Sequence, residues 1–134
     1  MSESGTTRRR LYLAGGTALA VGVEAGLYRV YFAGDGAFHW FTHFFAGGSL
    51  ALFVMTVIAR RRRRPVRLPL LWIVLTHLFA MGPDVMFTQE MAHRRWMDVF
   101  VAHNVSHFIP GGNVTWYLIF MGALGAYLVA MSTE

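Results

Sequence analysis

The sequence predicts an all-α integral membrane protein, a four-transmembrane-helix bundle with an interfacial helix between spans three and four. Hydrophobic residues make up 55% of the 134 residues and the mean hydropathy is +0.43, which is too apolar for a soluble domain of this size. Four apolar segments are each ~20 residues long, enough to cross the hydrocarbon core. Arginine-rich blocks beside these segments are typical of topology signals. We therefore expect a single membrane domain covering residues 1–134.

The predicted spans follow one another through short polar connections. Arg8, Arg9 and Arg10 precede the first span, at about 11–33. A Gly-Asp-Gly turn leads to the second, at about 40–59, which the arginine run 60–64 closes. The third, at about 68–87, ends around the Gly-Pro-Asp sequence 82–84. An amphipathic segment at about 88–110 is predicted as an extracytoplasmic loop with an interfacial helix, and Asn113 as the cap of the fourth span, at about 114–131.

The two arginine blocks predict the orientation. Both lie on one side if each span crosses once, and positive residues favour the cytoplasm. We therefore expect a multi-pass protein of the plasma (inner) membrane with both termini cytoplasmic and all six histidines in the outer half. The lipid bilayer is then the main partner, and the net charge of +5 needs no nucleic-acid partner to explain it.

The residue types exclude several classes of protein. The chain has no cysteine, which excludes disulfides, thiolate metal sites and cysteine nucleophiles. All twelve basic residues are arginine, so no Schiff base to retinal or to a carbonyl substrate can form. The small-residue pairs Gly47-Gly48 and Gly122-x-x-Gly125 predict close helix approach, and a homo-oligomer is a further expectation.

Pairs of possible metal ligands occur in three helical segments that the predicted topology brings to the same depth. The pairs are His39 with His43, His77 with Asp84, and His103 with His107. Each pair shares one face of its helix. Imidazole and carboxylate groups are what zinc or a harder divalent ion binds when cysteine is lacking. We therefore predict a divalent-metal site, with zinc as the expected ion, whose ligands are His43, Asp84, His103 and His107, with His39 and His77 next.

Glu24 is the other informative residue because it lies inside the first span. A charged group at that depth costs ~2.5 kcal/mol or more, so it usually faces a partner or a water-filled cavity. We expect Glu24 to be a ligand or a general base, with Asp84 and Asp98 as the other candidate bases. The alternative is an ion pair with Arg29, for which a spacing of five residues is poor on a helix.

Several of these residues resemble a known family. Thr42-His43-Phe44-Phe45-Ala46-Gly47 resembles the Thr-His-x-x-x-Gly opening of the membrane-bound metal-dependent hydrolases, the LexA-binding inner-membrane hydrolase family. Gly82-Pro83-Asp84 is similar to that family's Pro-Asp-x-Asp motif, although Met86 and Phe87 stand where its second aspartate would be. His93-Arg94 matches the start of its His-Arg-Gly-x-Thr-His-Ser motif, and the pair His103 and His107 is one residue too short for it. The resemblance covers about 65 residues and implies a divalent-metal hydrolase of membrane-associated substrates.

Three classes of function remain open from the sequence. The leading hypothesis is a metal-dependent hydrolase in which three protein ligands and an open position on zinc supply hydroxide near neutral pH. The second is a b-type haem electron carrier, with His43 facing His77 or His107 across the iron. The third is a non-enzymatic subunit or metal transporter, but the inner halves of spans two and four offer few polar residues beyond Ser49 and Thr56.

Overall fold

The computed structural model describes residues 3–32, 37–88 and 109–132, and this part of the chain forms four α-helices. They are α1 (Glu3–Phe32), α2 (Ala37–Arg62), α3 (Pro69–Thr88) and α4 (Gly112–Ser132). The predicted all-α class is confirmed. The turn predicted at 34–36 and nearly all of the interfacial helix predicted at about 88–110 lie outside the described residues.

Three of the described helices are long and apolar enough to cross a membrane, over Thr6–Arg29, Trp40–Arg62 and Gly112–Ser132. These lengths and compositions indicate a membrane protein. The fourth, α3, has 20 residues and is therefore ~30 Å long. It covers the predicted third span.

The helices alternate in direction, and α1 runs parallel to α3. Gly16 in α1 lies against Leu68 at the start of α3, and Glu24 farther along α1 contacts His77 farther along α3. Since α1 enters from the arginine-rich N-terminal end, the carboxyl end of α3 lies at the opposite end of the bundle.

Helix α4 runs parallel to α2. Thr42 donates a hydrogen bond to the Asn113 side-chain oxygen, and Gly48 lies against Phe120. The starts of α2 and α4 are therefore at the same end of the bundle as the carboxyl end of α3. The arginine-rich end of α2 lies at the other end, beside the start of α3.

Helix α2 is the centre of the bundle, because it packs extensively against both α3 and α4 while α1 lies more loosely against α3 and α2. One cluster of buried hydrophobic side chains, between α2 and α4, consists of Ala51, Leu52, Met55, Ala59 and Tyr127. Gly47 lets α2 approach α3 closely: a Cβ there would lie 2.7 Å from the Thr76 carbonyl oxygen. The close approach predicted at Gly47-Gly48 is therefore confirmed.

Three local predictions need correction. A Cβ at Gly122 or Gly125 would meet nothing within 4 Å in the described structure, so this pair brings no two of the described helices close together. Helix α3 agrees with the predicted span end at about 87, because it continues to Thr88, but it passes through Pro83 instead of ending at the Gly-Pro-Asp sequence. Proline lacks only one backbone donor, and membrane helices tolerate it. Asn113 lies inside the first turn of α4 and not before it, and its side-chain oxygen accepts a hydrogen bond from Thr42.

Candidate functional site

Two pairs of a histidine and a carboxylate lie among the apolar side chains of the bundle. One joins α1 to α3 through Glu24 and His77, and the other joins α2 to α3 through His43 and Asp84. Helix α3 thus contributes one member to each pair. Because the polar groups come from three helices, their positions depend on how those helices pack.

The first pair is the more buried of the two. His77 Nδ1 lies 3.0 Å from Oε1 and 2.8 Å from Oε2 of Glu24. The His77 side chain is 0% exposed and that of Glu24 17%. With Nδ1 donating its proton to the carboxylate, the other nitrogen of a neutral imidazole, Nε2, carries a lone pair.

His77 Nε2 is the distinctive atom of this site. It is buried, and no group in the described part of the chain forms a hydrogen bond with it. Trp40 and Phe44 contact the imidazole edge to face, with ring centroids 5.3 and 5.4 Å away. These rings and the Glu24 carboxylate fix the orientation of His77. A buried polar nitrogen without a partner is costly, so such an atom calls for a functional explanation.

The second pair lies nearer the shared end of α2, α3 and α4. His43 Nε2 donates to Asp84 Oδ2 at 2.9 Å, and the two side chains are 2% and 21% exposed. His43 precedes Gly47 by one helical turn, and Gly47 packs on the backbone of His77. The two histidines therefore lie on facing parts of α2 and α3, about one turn apart.

A cavity of about 470 Å³ borders the first pair. Glu24, Trp40 and Phe44 contribute to its wall, and the remaining lining residues are apolar or aromatic. The side chain that holds His77 thus also lines this apolar space, through its carbon atoms.

The structure brings together four of the residues that the sequence singled out, as two separate pairs. His43 and Asp84 contact each other, whereas His77, which shares the Asp84 face of α3, bonds to Glu24. Among residues 3–32, 37–88 and 109–132, no group of three or more His, Cys, Asp or Glu side chains is placed to hold a metal ion. The candidates Asp98, His103 and His107, and the side chain of His39, lie outside the described residues.

Sequence reasoning missed three contributions. It did not pair Glu24 with His77, although each is an isolated polar residue near the middle of an apolar segment. It did not place Trp40 at the site, where its ring lies against His77 and stacks on Phe44 with centroids 5.0 Å apart. It also gave no role to Thr42 in joining α2 to α4.

The chain matches no family model, no curated protein and no solved structure.

Proposed function

We propose that the chain is a small integral-membrane hydrolase that depends on a divalent metal, with zinc as the expected ion. It acts at the extracytoplasmic face on a membrane-associated ester, phosphoester or amide. In this proposal α3 also crosses the membrane, as the third of four spans. The segment before α4 carries an interfacial helix, and both termini are cytoplasmic in the plasma (inner) membrane. The alternating helix directions support this topology, because they bring both arginine-rich blocks to one end of the bundle.

The observation that carries the proposal is the buried Nε2 of His77. Histidines that bind metals usually donate their other ring N–H to a carboxylate, which fixes the tautomer and makes the free nitrogen a better ligand. The Glu24 carboxylate occupies that position on His77 Nδ1. The nitrogen and oxygen donors of the two pairs also suit zinc or a harder divalent ion.

The described residues would provide only some of the ligands that such an ion needs, so other residues of the chain have to provide the rest. His43 and Asp84 are the nearest candidates on α2 and α3. His107 precedes Asn113 by six residues, so the two Cα atoms are at most about 22 Å apart even in an extended chain. Asn113 in turn binds Thr42, the neighbour of His43. This connection supports His103 and His107 as the remaining ligands, with His39 next.

A divalent ion bound there would polarise the scissile bond and lower the pKa of a water molecule. The residues of the chain have separate tasks around it. Glu24 positions His77 by holding its Nδ1 proton. Asp84, which contacts His43, and Asp98, which precedes His103, are the candidate bases that would accept a proton from the water.

A hydrolysis assay tests this proposal. Purified protein in detergent would be offered lipid-linked esters, phosphoesters and amides after removal of metal with a chelator, and again after zinc is restored. We expect zinc-dependent turnover of at least one substrate class, lost in His77→Ala and retained in His93→Ala, a control outside the proposed ligand set. Zinc-independent turnover, or equal activity in the two variants, would contradict the proposal. A Soret absorption band in the purified protein would instead favour the haem-binding alternative.

A further inference from the structure

The cavity beside Glu24 changes in character along its length. Toward the arginine-rich end of the bundle its wall is mainly aliphatic, and the side chains there are Ala20, Val21, Leu70, Ile73 and Val74, with Phe120 beside Ile73. Toward the other end its wall is aromatic, with Tyr28, Trp40 and Phe44. On α1, Glu24 lies between these two parts. The cavity therefore has a mainly aliphatic inner part and an aromatic outer part, and the atoms that it exposes are apolar.

The cavity is open to the side of the bundle. Val21 and Leu70 line it and are themselves 60% and 43% exposed. Both belong to apolar stretches, and α1 has the length of a membrane span. In a bilayer, the molecules that meet such an opening are lipid acyl chains. The volume of about 470 Å³ falls within the range of ~300–1,000 Å³ that is usual for ligand pockets.

We propose that this cavity binds one acyl chain of a membrane phospholipid, which makes an acyl lipid the substrate class of the hydrolase. This inference rests on the proposed function and its orientation. A lipid of the outer leaflet enters with its chain directed toward the middle of the bilayer, so the chain occupies the aliphatic inner part. Its ester groups then lie toward the aromatic part and Glu24.

Trp40 belongs to the aromatic part, and its ring borders the cavity through carbon atoms, because its indole Nε1–H is buried. Trp side chains are commonly found where an apolar region meets a polar one. The cavity thus offers an apolar space for the chain and an aromatic rim at the end where the ester lies.

Fluorescence quenching of Trp40 tests the inference without depending on hydrolysis. The parent protein carries Trp72→Phe, Trp96→Phe and Trp116→Phe, so that Trp40 is the only tryptophan. Chelator-treated parent in detergent micelles is titrated with a phosphatidylcholine brominated along its acyl chains, with unbrominated lipid as competitor. Bromine quenches tryptophan only at short range, so saturable and competed quenching reports an acyl chain beside Trp40.

Two cavity-filling variants and one matched control give the comparison. Ala25→Phe and Val21→Phe place a ring in the cavity wall, and Ala18→Phe makes the same change at an exposed position of α1 outside it. We expect saturable quenching in the parent and in Ala18→Phe, and its loss in both cavity variants while their helical content is unchanged. Quenching that never saturates, or that is equal in all variants, overturns the inference. Tighter quenching by a brominated free fatty acid than by the phospholipid overturns the assignment to a phospholipid.

The outcome is separable from that of the hydrolase proposal. If Trp40 is quenched in a saturable way but the purified protein holds no divalent metal, the acyl-chain site stands and the hydrolase proposal fails. If metal is bound and hydrolysis occurs without saturable quenching, the hydrolase proposal stands and the acyl-chain site fails.

Discussion

Replacing Gly47 with alanine tests whether the contact between α2 and α3 sets the position of the site. The new Cβ would lie 2.7 Å from the Thr76 carbonyl oxygen and 2.9 Å from the Cα of His77, both backbone atoms. Ordinary contacts of a Cβ lie at 3.4–4 Å, so the two helices must move apart by several tenths of an ångström. Neither contact can be relieved by a change of side-chain rotamer.

The expected magnitude follows from two opposing effects. Overpacking of this kind costs ~1–3 kcal/mol, whereas alanine favours a helix over glycine by ~1 kcal/mol. We therefore expect Gly47→Ala to lower the free energy of unfolding by up to about 2 kcal/mol. Because His43 lies one turn from Gly47, the separation should also disturb its contact with Asp84 and weaken metal retention.

The assay is reversible unfolding in mixed micelles with increasing denaturing detergent, followed by circular dichroism. Gly122→Ala is the matched control, since its Cβ meets nothing within 4 Å in the described structure and it gains the same helix propensity. We expect the control to be as stable as the unchanged chain or slightly more stable. Equal stability of the two variants would refute the reasoning that the backbone contact at Gly47 is tight.

Two further predictions concern individual hydrogen bonds. Glu24→Ala should be less stable than Glu24→Gln by ~1–3 kcal/mol, because the glutamine carbonyl can still accept a hydrogen bond from His77 Nδ1, whereas alanine leaves that donor buried without an acceptor. The same unfolding assay measures the difference. Equal stability of the two variants would count against the pairing of α1 with α3. Thr42→Val removes a hydrogen bond between α2 and α4 and should cost ~0.5–1.5 kcal/mol, whereas Thr56→Val removes only a bond to Leu52 of its own helix and should cost less. A larger loss at Thr56 would mean that Thr42 does not join the two helices.

The helices themselves could be predicted from the sequence because length and hydropathy determine them. The predicted spans at about 11–33, 40–59, 68–87 and 114–131 each fall on one observed helix, within a few residues at most ends. The largest difference is at the start of α1, where the helix includes Arg8, Arg9 and Arg10. Water at a membrane surface does not prevent arginine from extending a helix, since arginine is a good helix former.

The pairing of the polar side chains was not predictable in the same way. His77 and Asp84 are seven residues apart and share a face of α3, so spacing alone assigned them to one centre. In the structure each contacts a different helix, His77 through Glu24 of α1 and Asp84 through His43 of α2. The face that an apolar helix presents to each neighbour depends on packing, and here it depends on the contact at Gly47. Hydropathy is nearly uniform around such a helix and carries little of that information.

The most direct test of the central claim is the metal content of the protein purified in detergent without chelator, measured by elemental mass spectrometry. The account predicts about one divalent ion per chain, retained in His93→Ala and lost in His77→Ala, in His43→Ala and in His107→Ala, each with unchanged helical content. A chain that holds no divalent ion, or one that keeps its full metal content in His77→Ala, would contradict it.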